Sequence, residues 1–588
     1  MDSDTNRTVA PRLSDTRFVI MAALITALGA LARFIWLGLK PFHHDEGVNG
    51  YFLLNLARTG KWEYDPANYH GPDLYYISLF VTNIIGLDEI GTRSTVAIFG
   101  LLTVIAAFWL RRHIGDFGAL VAAGLIAISP GMVYISRYFI HEILFVFFSL
   151  AIPIGIAFFM ERRKAGLVAQ GLFAIVLGVI LLPTQTIVVQ KLLGSKGYLA
   201  LGVRVLTSVA VAFAIFHLVK KMAAWRNGTP IYFLLSIVSV CMLFATKETG
   251  FITVGTMMLS CVSVVVWEKI SGRDGQPSEK FSWRSFVDAF GTKREMWTII
   301  GIATLLFVLL WIIFFSSFFT NWEGVKHSIT AYAIWTKTGT NVHRNGFWAY
   351  LKWMWEIEAP ILLLSALGVV FALIGRRNRF AVFASFWALG ISLAYTLIPY
   401  KTPWLMVSFV LPMAIVAGHA IDEMSRNKIA SVRVLGVLIL SVVVGVAGWQ
   451  SWSLNFVRYD DQAMPYVYAH TERSFNEMIA KIDEIDARLG GKKDIRIDVV
   501  SSDFWPLPWT LRHYPKAGMG GKIVPASGQE VIIAKYRENE EEVLANYQEG
   551  YVSLGTYLVR PGVDLILLVR KDIAGTEGKR LEFDLLGN

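Results

Sequence analysis

Charged residues and cysteine are both scarce in this 588-residue sequence. Only 17% of the residues are charged, whereas 54% are hydrophobic and the mean hydropathy is +0.50. Such a composition is too apolar for a soluble chain of this length and is typical of a protein with several membrane spans. The two cysteines, Cys241 and Cys261, both lie inside apolar stretches. This position excludes a disulfide or a thiolate metal site in the water-exposed parts of the chain.

The sequence also lacks the patterns of several other protein classes. Its net charge of +10 comes from short Lys and Arg clusters between apolar runs, so no nucleic-acid-binding patch is predicted. We find no internal repeat and no low-complexity tract. The first apolar run has no cleavage signature of a signal peptide. We therefore expect it to remain as a membrane helix, preceded by a cytoplasmic N-terminus at residues 1–17.

Thirteen apolar stretches approach the length that a tilted membrane helix needs, which is roughly 17–25 residues. We therefore predict an all-α polytopic membrane domain over residues 18–450 with about 13 transmembrane helices. The stretch from Leu74 to Leu87 is too short to span and is predicted to form an amphipathic or re-entrant helix on the membrane face. The stretches lie near 18–39, 91–110, 116–135, 138–160, 166–190, 197–219, 229–246, 250–268, 296–319, 359–375, 380–399, 402–421 and 430–450.

The basic clusters between these stretches fall on alternate loops, which the positive-inside rule assigns to the cytoplasm. The other loops and the C-terminus are then predicted to lie outside. The clusters are Arg111 and Arg112; Arg162, Arg163 and Lys164; Lys220, Lys221 and Arg226; 269–294; Arg376, Arg377 and Arg379; and Arg426, Lys428 and Arg433.

Residues 451–588 have a different composition and are predicted to form a small extracytoplasmic α/β domain. Thr471 to Leu489 has the pattern of an amphipathic helix. The segments "IRIDVV", "EVIIAK" and "VDLILLVR" are typical of short buried strands.

The loop after the first span concentrates acidic and histidine side chains, with His43, His44, Asp45 and Glu46 in a row and His70 further on. Adjacent carboxylates at a membrane boundary raise each other's proton affinity and lose hydration, which suits one of them to act as a general base. The alternative is that the two carboxylates only cap the following helix, because anions favour a helix N-terminus.

Three further outer turns carry ionisable groups at the membrane boundary. Arg137 and His141 are four residues apart, so on a helix they would share a face and grip an anionic group, with Glu142 beside them. The alternative is an Arg137–Glu142 pair that only fixes helix packing. Each of the other two turns holds a lysine that is a candidate phosphate ligand. The alternative for each lysine is that its side chain only snorkels toward water. The two turns hold Lys247 and Glu248, and Tyr400 and Lys401.

No cofactor is predicted from these residues. The His, Asp and Glu side chains match no known metal-binding spacing, so no metal site is assigned. A divalent cation stays open as an alternative, because the same side chains are hard ligands.

Taken together, these motifs resemble the membrane glycosyltransferases of the C superfamily (GT-C). More narrowly they are similar to the protein O-mannosyltransferase-like group and, within it, to the flippase activity-associated protein family. The likeness extends over nearly the whole chain, but the large lumenal insert of the eukaryotic enzymes is missing, so a protein acceptor is not assumed. The motifs are the "DE" doublet, "YDPANYHGPDLYY", "RYFIHE", "TKETG", "PYKTPWL", "PYVYAHT" and "WPLPWTLRHY".

The resemblance implies roles for particular residues. Asp45 matches the catalytic base and Glu46 its partner, while His141 and Glu142 match the second-loop catalytic neighbourhood. Lys247 and Lys401 fall where contacts to the donor phosphate are expected. Substrate-binding positions are further assigned to His44, His70, Arg137, Glu248 and Tyr400.

The predicted activity is transfer of a sugar from a polyprenyl-phosphate donor to an acceptor hydroxyl on the outer face of the plasma membrane. A single displacement with one base would invert the anomeric centre. Its partners would be that donor, a glycan, lipid or protein acceptor, and membrane lipids, with no nucleic acid. The alternative is a lipid-linked sugar transporter or flippase, or its accessory subunit. Transporters usually place ionisable groups near the midplane of repeated halves, whereas here the groups gather at one surface.

Overall fold

The computed structural model describes residues 12–66, 70–194, 197–271, 282–335, 343–375, 378–576 and 578–581. A helical membrane part is followed by a small C-terminal domain built on a β-sheet, as the sequence predicts. Several predicted features lie outside the described residues. They are residues 1–11 of the N-terminus, 272–281 of the basic 269–294 loop, and Arg376 and Arg377.

The described residues form 23 α-helices. The helices up to the end of the membrane part are α1 (Asp15–Phe34), α2 (His44–Thr59), α3 (Asp73–Ile85), α4 (Glu89–Ala107), α5 (Arg111–Ile114), α6 (Asp116–Ile128), α7 (Pro130–Ile135), α8 (Glu142–Met160), α9 (Leu167–Leu193), α10 (Tyr198–Ala224), α11 (Thr229–Thr246), α12 (Gly250–Ile270), α13 (Trp283–Phe290), α14 (Lys293–Phe315), α15 (Glu323–Trp335), α16 (Ala349–Ile357), α17 (Ala359–Ile374), α18 (Arg379–Leu397), α19 (Val407–Ser425) and α20 (Ala430–Trp452). The C-terminal domain adds α21 (Arg473–Arg488), α22 (Leu507–Thr510) and α23 (Glu540–Tyr547).

Ten helical stretches among the described residues are long and apolar enough to cross a membrane, and α16 with α17, bent by 109°, makes up to 11. The predicted number was about 13. Two features account for the difference. The stretch 198–246 counts once although left-handed residues at Arg226 and Asn227 separate α10 from α11. The predicted span 116–135 is divided at Ser129 into α6, which has only 13 residues, and the short α7.

The loops of the membrane part separate into two ends. At one end, which we call the basic end, Arg111 pairs with Asp116, and the Asn378 side chain donates to the carbonyl of His113. The Arg226 guanidinium donates to the carbonyl of Ala289 at the same end. The opposite end, which we call the site end, carries α2, the start of α8 and the 247–249 turn. The predicted alternation of basic and acidic loops therefore corresponds to two physical ends.

The C-terminal domain is a six-stranded sheet in the order β2-β1-β3-β5-β4-β6. Strand β1 is parallel to β2 and β3, whereas β5 is antiparallel to β3 and β4. The three predicted strands and the predicted helix are confirmed. The long strand β4 was not predicted, because apolar residues lie on both its faces and Gly555 interrupts the alternation. The strands are β1 (Ile497–Val499), β2 (Ala517–Met519), β3 (Val531–Lys535), β4 (Tyr551–Arg560), β5 (Val563–Arg570) and β6 (Lys579–Arg580).

This domain docks directly on α2, the helix that follows the first span. Pro506 packs against Gly47, and Trp509 packs against Gly50 one turn further on. The Trp509 ring stacks on Phe42 at 5.4 Å between centroids, and its indole N–H donates to Glu89. Two glycines three residues apart therefore let the domain approach the helix closely.

Substitution of Gly47 by Ala is expected to loosen this docking. The new Cβ would lie 2.5 Å from Pro506 Cβ and 2.8 Å from its Cα, so the backbone of the domain has to move. Overpacking of this kind costs about 1–3 kcal/mol, and we expect hydrogen exchange around 505–512 to become about tenfold faster. Gly255→Ala is the control, since a Cβ there meets nothing within 4 Å. Equal exchange in the two variants would contradict the prediction.

Candidate active site

A cavity of about 830 Å³ opens at the site end, between the membrane helices and the C-terminal domain. Its wall combines the start of α2, the start of α8, the 247–249 turn, the 398–405 segment and residues of the C-terminal domain. Eight of the eleven residues that the sequence predicts for the site line it. They are His44, Asp45, His70, His141, Glu142, Lys247, Glu248 and Tyr400.

Asp45 stands in the first turn of α2, with its side chain 38% exposed to the cavity. The Tyr138 hydroxyl lies 3.1 Å from its Oδ2. Burial raises the pKa of Asp45, but His43, His44 and the Tyr138 hydroxyl lower it more, so the pKa lies below its ordinary value. The residue therefore presents an ionised carboxylate at neutral pH, which is the state that a general base needs.

Glu46, the next residue, points away from the cavity and is fully buried. Its Oε2 lies 2.6 Å from Nη2 of Arg93, and its Oε1 accepts the backbone N–H of Phe139 at 2.8 Å. It also accepts the backbone N–H of His43, which completes the cap of α2. Glu46 does not line the cavity, because its carboxylate is buried against Arg93 and the backbone N–H groups of His43 and Phe139, and it holds the turn before α8 against α2.

Glu142 and Lys247 form an ion pair on the far wall of the cavity. The Lys247 ammonium lies 2.6 Å from Oε1 of Glu142, and both side chains are 6% exposed. Burial lowers the pKa of Lys247, but the Glu142 carboxylate raises it more, so the pKa lies above its ordinary value. Lys247 is therefore a fixed positive charge facing the cavity. The predicted Arg137–Glu142 packing pair does not form.

His70 and His141 meet beside this pair, with ring centroids 5.3 Å apart. His70 Nδ1 lies 3.0 Å from Oε2 of Glu248, and the Tyr64 hydroxyl donates to the other oxygen of that carboxylate at 2.8 Å. Burial lowers the pKa of His141 well below its ordinary value, so its ring is neutral. His44 on the Asp45 side is also neutral, because burial lowers its pKa to about 4.

Arg137 and Lys401 do not reach the cavity, contrary to their predicted part in substrate binding. The guanidinium of Arg137 donates to the carbonyls that end α1, among them Ile35 at 2.7 Å and Trp36 at 2.8 Å. The ammonium of Lys401 donates to the carbonyl of Ile398 at 2.7 Å and is buried. Both cations stabilise loop and helix-end carbonyls, so we leave them out of the substrate site.

Several lining or contact residues were not predicted as site residues, Tyr138 and Arg560 among them. Tyr138 contacts Asp45, whereas Tyr468, Trp505 and Arg560 line the cavity from the part of the chain after α20. The signal was present for three of them, since "RYFIHE", "PYVYAHT" and "WPLPWTLRHY" contain Tyr138, Tyr468 and Trp505. Arg560 stands at the end of an unpredicted strand and carries no such signal. It pairs with Asp503 at 2.9 Å.

The described part of the chain contains no group of three or more His, Cys, Asp or Glu side chains placed to hold a metal ion. Asp45 lies 3.8 Å from His43 and 3.7 Å from His44.

Comparisons with known proteins place this architecture. A family model described as dolichyl-phosphate-mannose-protein mannosyltransferase (PMT) matches residues 68–183, and no curated protein sequence matches the chain. ArnT from Cupriavidus metallidurans, bound to undecaprenyl phosphate, is 14% identical with a TM-score of 0.55 over 96% of this chain and 100% of its own. The same protein in the apo state is 12% identical with a TM-score of 0.56, over 95% and 98%. An Archaeoglobus fulgidus oligosaccharyltransferase tethered to an acceptor peptide is 11% identical with a TM-score of 0.48, over 98% and 75%.

The chain therefore has the fold of ArnT, in agreement with the GT-C-like fold that the sequence predicts. The match to the PMT family model covers residues 68–183, which is less than half of the chain. The fold that the motifs imply is confirmed, whereas membership of the protein O-mannosyltransferase-like group stays a prediction. The narrower likeness to the flippase activity-associated proteins stays a prediction.

Proposed function

We propose that this protein transfers a sugar from a polyprenyl-phosphate donor to an acceptor hydroxyl, within the cavity at the site end. The observation that carries the proposal is that one ionised carboxylate, Asp45, and one fixed ammonium, Lys247, face the same cavity. A sugar phosphate held between them would have its two reacting sides next to groups of opposite charge. The fold supports the donor class, because ArnT has this fold and was solved with undecaprenyl phosphate.

The reaction follows from these two groups. Asp45 takes the proton of the acceptor hydroxyl as that oxygen attacks the anomeric carbon, and the bond from this carbon to the phosphate oxygen breaks. The negative charge that develops on the leaving phosphate is stabilised by Lys247. One displacement with a single base inverts the anomeric centre, by analogy with inverting glycosidases. Glu142 pairs with the ammonium and orients it.

We assign the site end to the outer face of the plasma membrane. The support is the positive-inside rule, since the Arg and Lys clusters gather at the opposite, basic end. The membrane at the site end would then deliver the donor phosphate at the depth of Lys247. The acceptor is a glycan, a lipid or a protein, and the cavity selects none of these classes by itself.

The competing assignment is a lipid-linked sugar transporter or flippase. The ionisable groups of the cavity lie at one end of the helices instead of the midplane, which favours chemistry over transport. The test uses purified protein in detergent with a radiolabelled polyprenyl-phosphate sugar. A transferase releases polyprenyl phosphate without a second compartment, whereas a transporter leaves the donor intact. Intact donor in the presence of a membrane extract as the acceptor source would contradict the proposal.

Removal of the Lys247 charge is expected to weaken donor binding. Because the single change would leave Glu142 buried and unpaired, the double variant Lys247→Met/Glu142→Gln is the better probe. A charge-assisted phosphate contact contributes about 1.5–3 kcal/mol, so donor affinity should fall about 10- to 100-fold. Donor binding by isothermal titration checks this.

The matched control is Lys352→Gln, which removes a cation from α16, where the side chain is 74% exposed. Its donor affinity should equal that of the unsubstituted protein. Unchanged affinity in the double variant would remove Lys247 from the phosphate site.

A further inference from the structure

The proposed mechanism leaves open what becomes of the proton that Asp45 accepts. Its side chain is connected to two neighbouring side chains. Tyr138 Oη lies 3.1 Å from Asp45 Oδ2 and 2.5 Å from Nδ1 of His43. The Tyr138 and His43 rings are buried, and their centroids are 4.8 Å apart. A carboxylate, a phenol and an imidazole thus form a continuous line of hydrogen-bonding distances.

The position of Tyr138 is fixed by its neighbour in the chain. Both backbone polar groups of Phe139 are held by α2, with Glu46 accepting its N–H at 2.8 Å and Asn49 donating to its carbonyl at 2.9 Å. Glu46 and Asn49 are three residues apart and so share a face of the helix. Arg93 in turn holds Glu46. The Tyr138 hydroxyl is therefore clamped beside Asp45 by buried contacts.

The contacts of His43 define its tautomer. Nδ1 accepts from the backbone N–H of Asp45 at 2.9 Å, whereas Nε2 faces the carbonyl of Tyr468 at 3.4 Å. A neutral ring with its proton on Nε2 satisfies both partners. The single lone pair of Nδ1 faces both the backbone N–H of Asp45 and the Tyr138 hydroxyl, so Nδ1 can accept a further proton only by releasing that N–H. An imidazole is ordinarily a stronger base than a carboxylate, with a pKa of about 6.5 against about 3.9.

We propose that Tyr138 and His43 are positioning residues that relay the proton from Asp45, an inference that rests on the proposed transferase function. After Asp45 takes the acceptor proton, its carboxyl group passes a proton to Tyr138 Oη, and Tyr138 passes its own proton to His43 Nδ1. Asp45 becomes a carboxylate again and His43 an imidazolium, so charge and atoms balance. The relay runs backward when water refills the cavity, and the proton leaves to that water.

The charged and titratable groups around His43 determine whether the excess proton rests on Asp45 or on His43. Burial lowers the pKa of His43 below its ordinary value, the carboxylates of Asp45 and Glu46 offset part of this effect, and the buried Lys40 ammonium adds to it. The His470 ring packs at 4.9 Å between centroids from the other side. His44 on the same helix completes the set, with ring centroids 6.3 Å apart. One excess proton is therefore shared within a buried group of opposite charges.

Two variants test the relay. Tyr138→Phe keeps the ring and removes the hydroxyl. His43→Asn removes the titratable ring but keeps a side-chain oxygen that can cap α2, because Asn is a preferred N-cap residue. We expect turnover of the polyprenyl-phosphate donor to fall about 100-fold in each variant, with donor affinity unchanged. The double variant should lose no more than either single variant, because both act in one relay.

A solvent-isotope measurement separates the relay from a purely structural role. In mixtures of H₂O and D₂O, turnover of the unsubstituted protein should vary with deuterium content along a curve, because more than one proton moves. The Tyr138→Phe variant should give a straight line. The matched control is Tyr134→Phe, which removes a neighbouring buried hydroxyl that bonds the carbonyl of Tyr459 at 3.1 Å and should keep the curve.

The outcomes separate failure of the proton relay from failure of the proposed transferase function. Straight lines for both proteins, or turnover of Tyr138→Phe and His43→Asn equal to that of Tyr134→Phe, would overturn the relay while transferase activity stands. Absence of donor turnover in the unsubstituted protein would overturn the transferase function and the relay together. Loss of donor affinity in both variants would show that the pair only maintains the fold, which also overturns the relay.

Discussion

The Asp45→Asn protein is expected to bind the polyprenyl-phosphate donor as tightly as the unsubstituted protein and to turn it over about 1,000-fold more slowly. An amide of the same shape preserves the contact with Tyr138 but cannot take a proton from the acceptor hydroxyl, and general-base catalysis contributes about 10²–10⁴-fold. Release of radiolabelled polyprenyl phosphate measures turnover, and donor binding by titration measures affinity. The expected signature is a change in kcat without a change in Kd.

Glu63→Gln is the matched control for this substitution. Glu63 follows the same helix α2, pairs with Lys61 at 2.7 Å and is 73% exposed, so its charge contributes little. The Glu63→Gln protein should retain full turnover. Full turnover in the Asp45→Asn protein as well would remove the assignment of Asp45 as the base.

The second large effect concerns stability. In the Glu46→Leu protein the Arg93 guanidinium stays buried without its carboxylate, and the Phe139 N–H loses its acceptor. Breaking a buried ion pair on one side costs about 3–5 kcal/mol. We expect the free energy of unfolding to fall by that amount, measured by denaturant titration in detergent.

The double variant Glu46→Leu/Arg93→Met provides the internal control. It leaves no unpaired buried charge, so it should recover a large part of the lost stability, although the N–H of Phe139 stays without its acceptor. A double variant that is as unstable as Glu46→Leu would show that the pair contributes through packing and not through its charges.

The membrane architecture could be predicted from the sequence because it depends on local quantities. Each predicted apolar stretch contains a helix, and described members of the basic clusters, such as Arg111, Arg162 and Arg226, lie at the basic end. The helix count was the weaker part, since breaks depend on single residues. Left-handed Arg226 and Asn227 separate two spans, and Pro130 begins a new helix after Ser129.

The sequence was enough to locate the candidate site, but it could not assign a separate role to each site residue. Adjacent residues of a helix point about 100° apart, so only one of Asp45 and Glu46 faces the cavity. Which of them does so depends on Arg93, 47 positions further along the chain. No local pattern records a partner at that distance.

The predicted phosphate ligands show the same limit. Arg137, Lys247 and Lys401 are all predicted to lie at the membrane boundary, and the predicted depth alone does not distinguish them. Helix ends and loops leave carbonyls without partners. Arg137 donates to such carbonyls at the end of α1, and Lys401 donates to the carbonyl of Ile398. Lys247 has Glu142 as its partner and so remains at the cavity wall.

The most direct test of the central claim is a structure of the Asp45→Asn protein with a polyprenyl-phosphate sugar bound. The claim is that one sugar phosphate sits between residue 45 and Lys247 in the cavity at the site end. The phosphate should then lie within hydrogen-bonding distance of the Lys247 ammonium, with the anomeric carbon facing the side chain of residue 45. A phosphate bound at Arg137, at Lys401 or at the basic end would contradict the account.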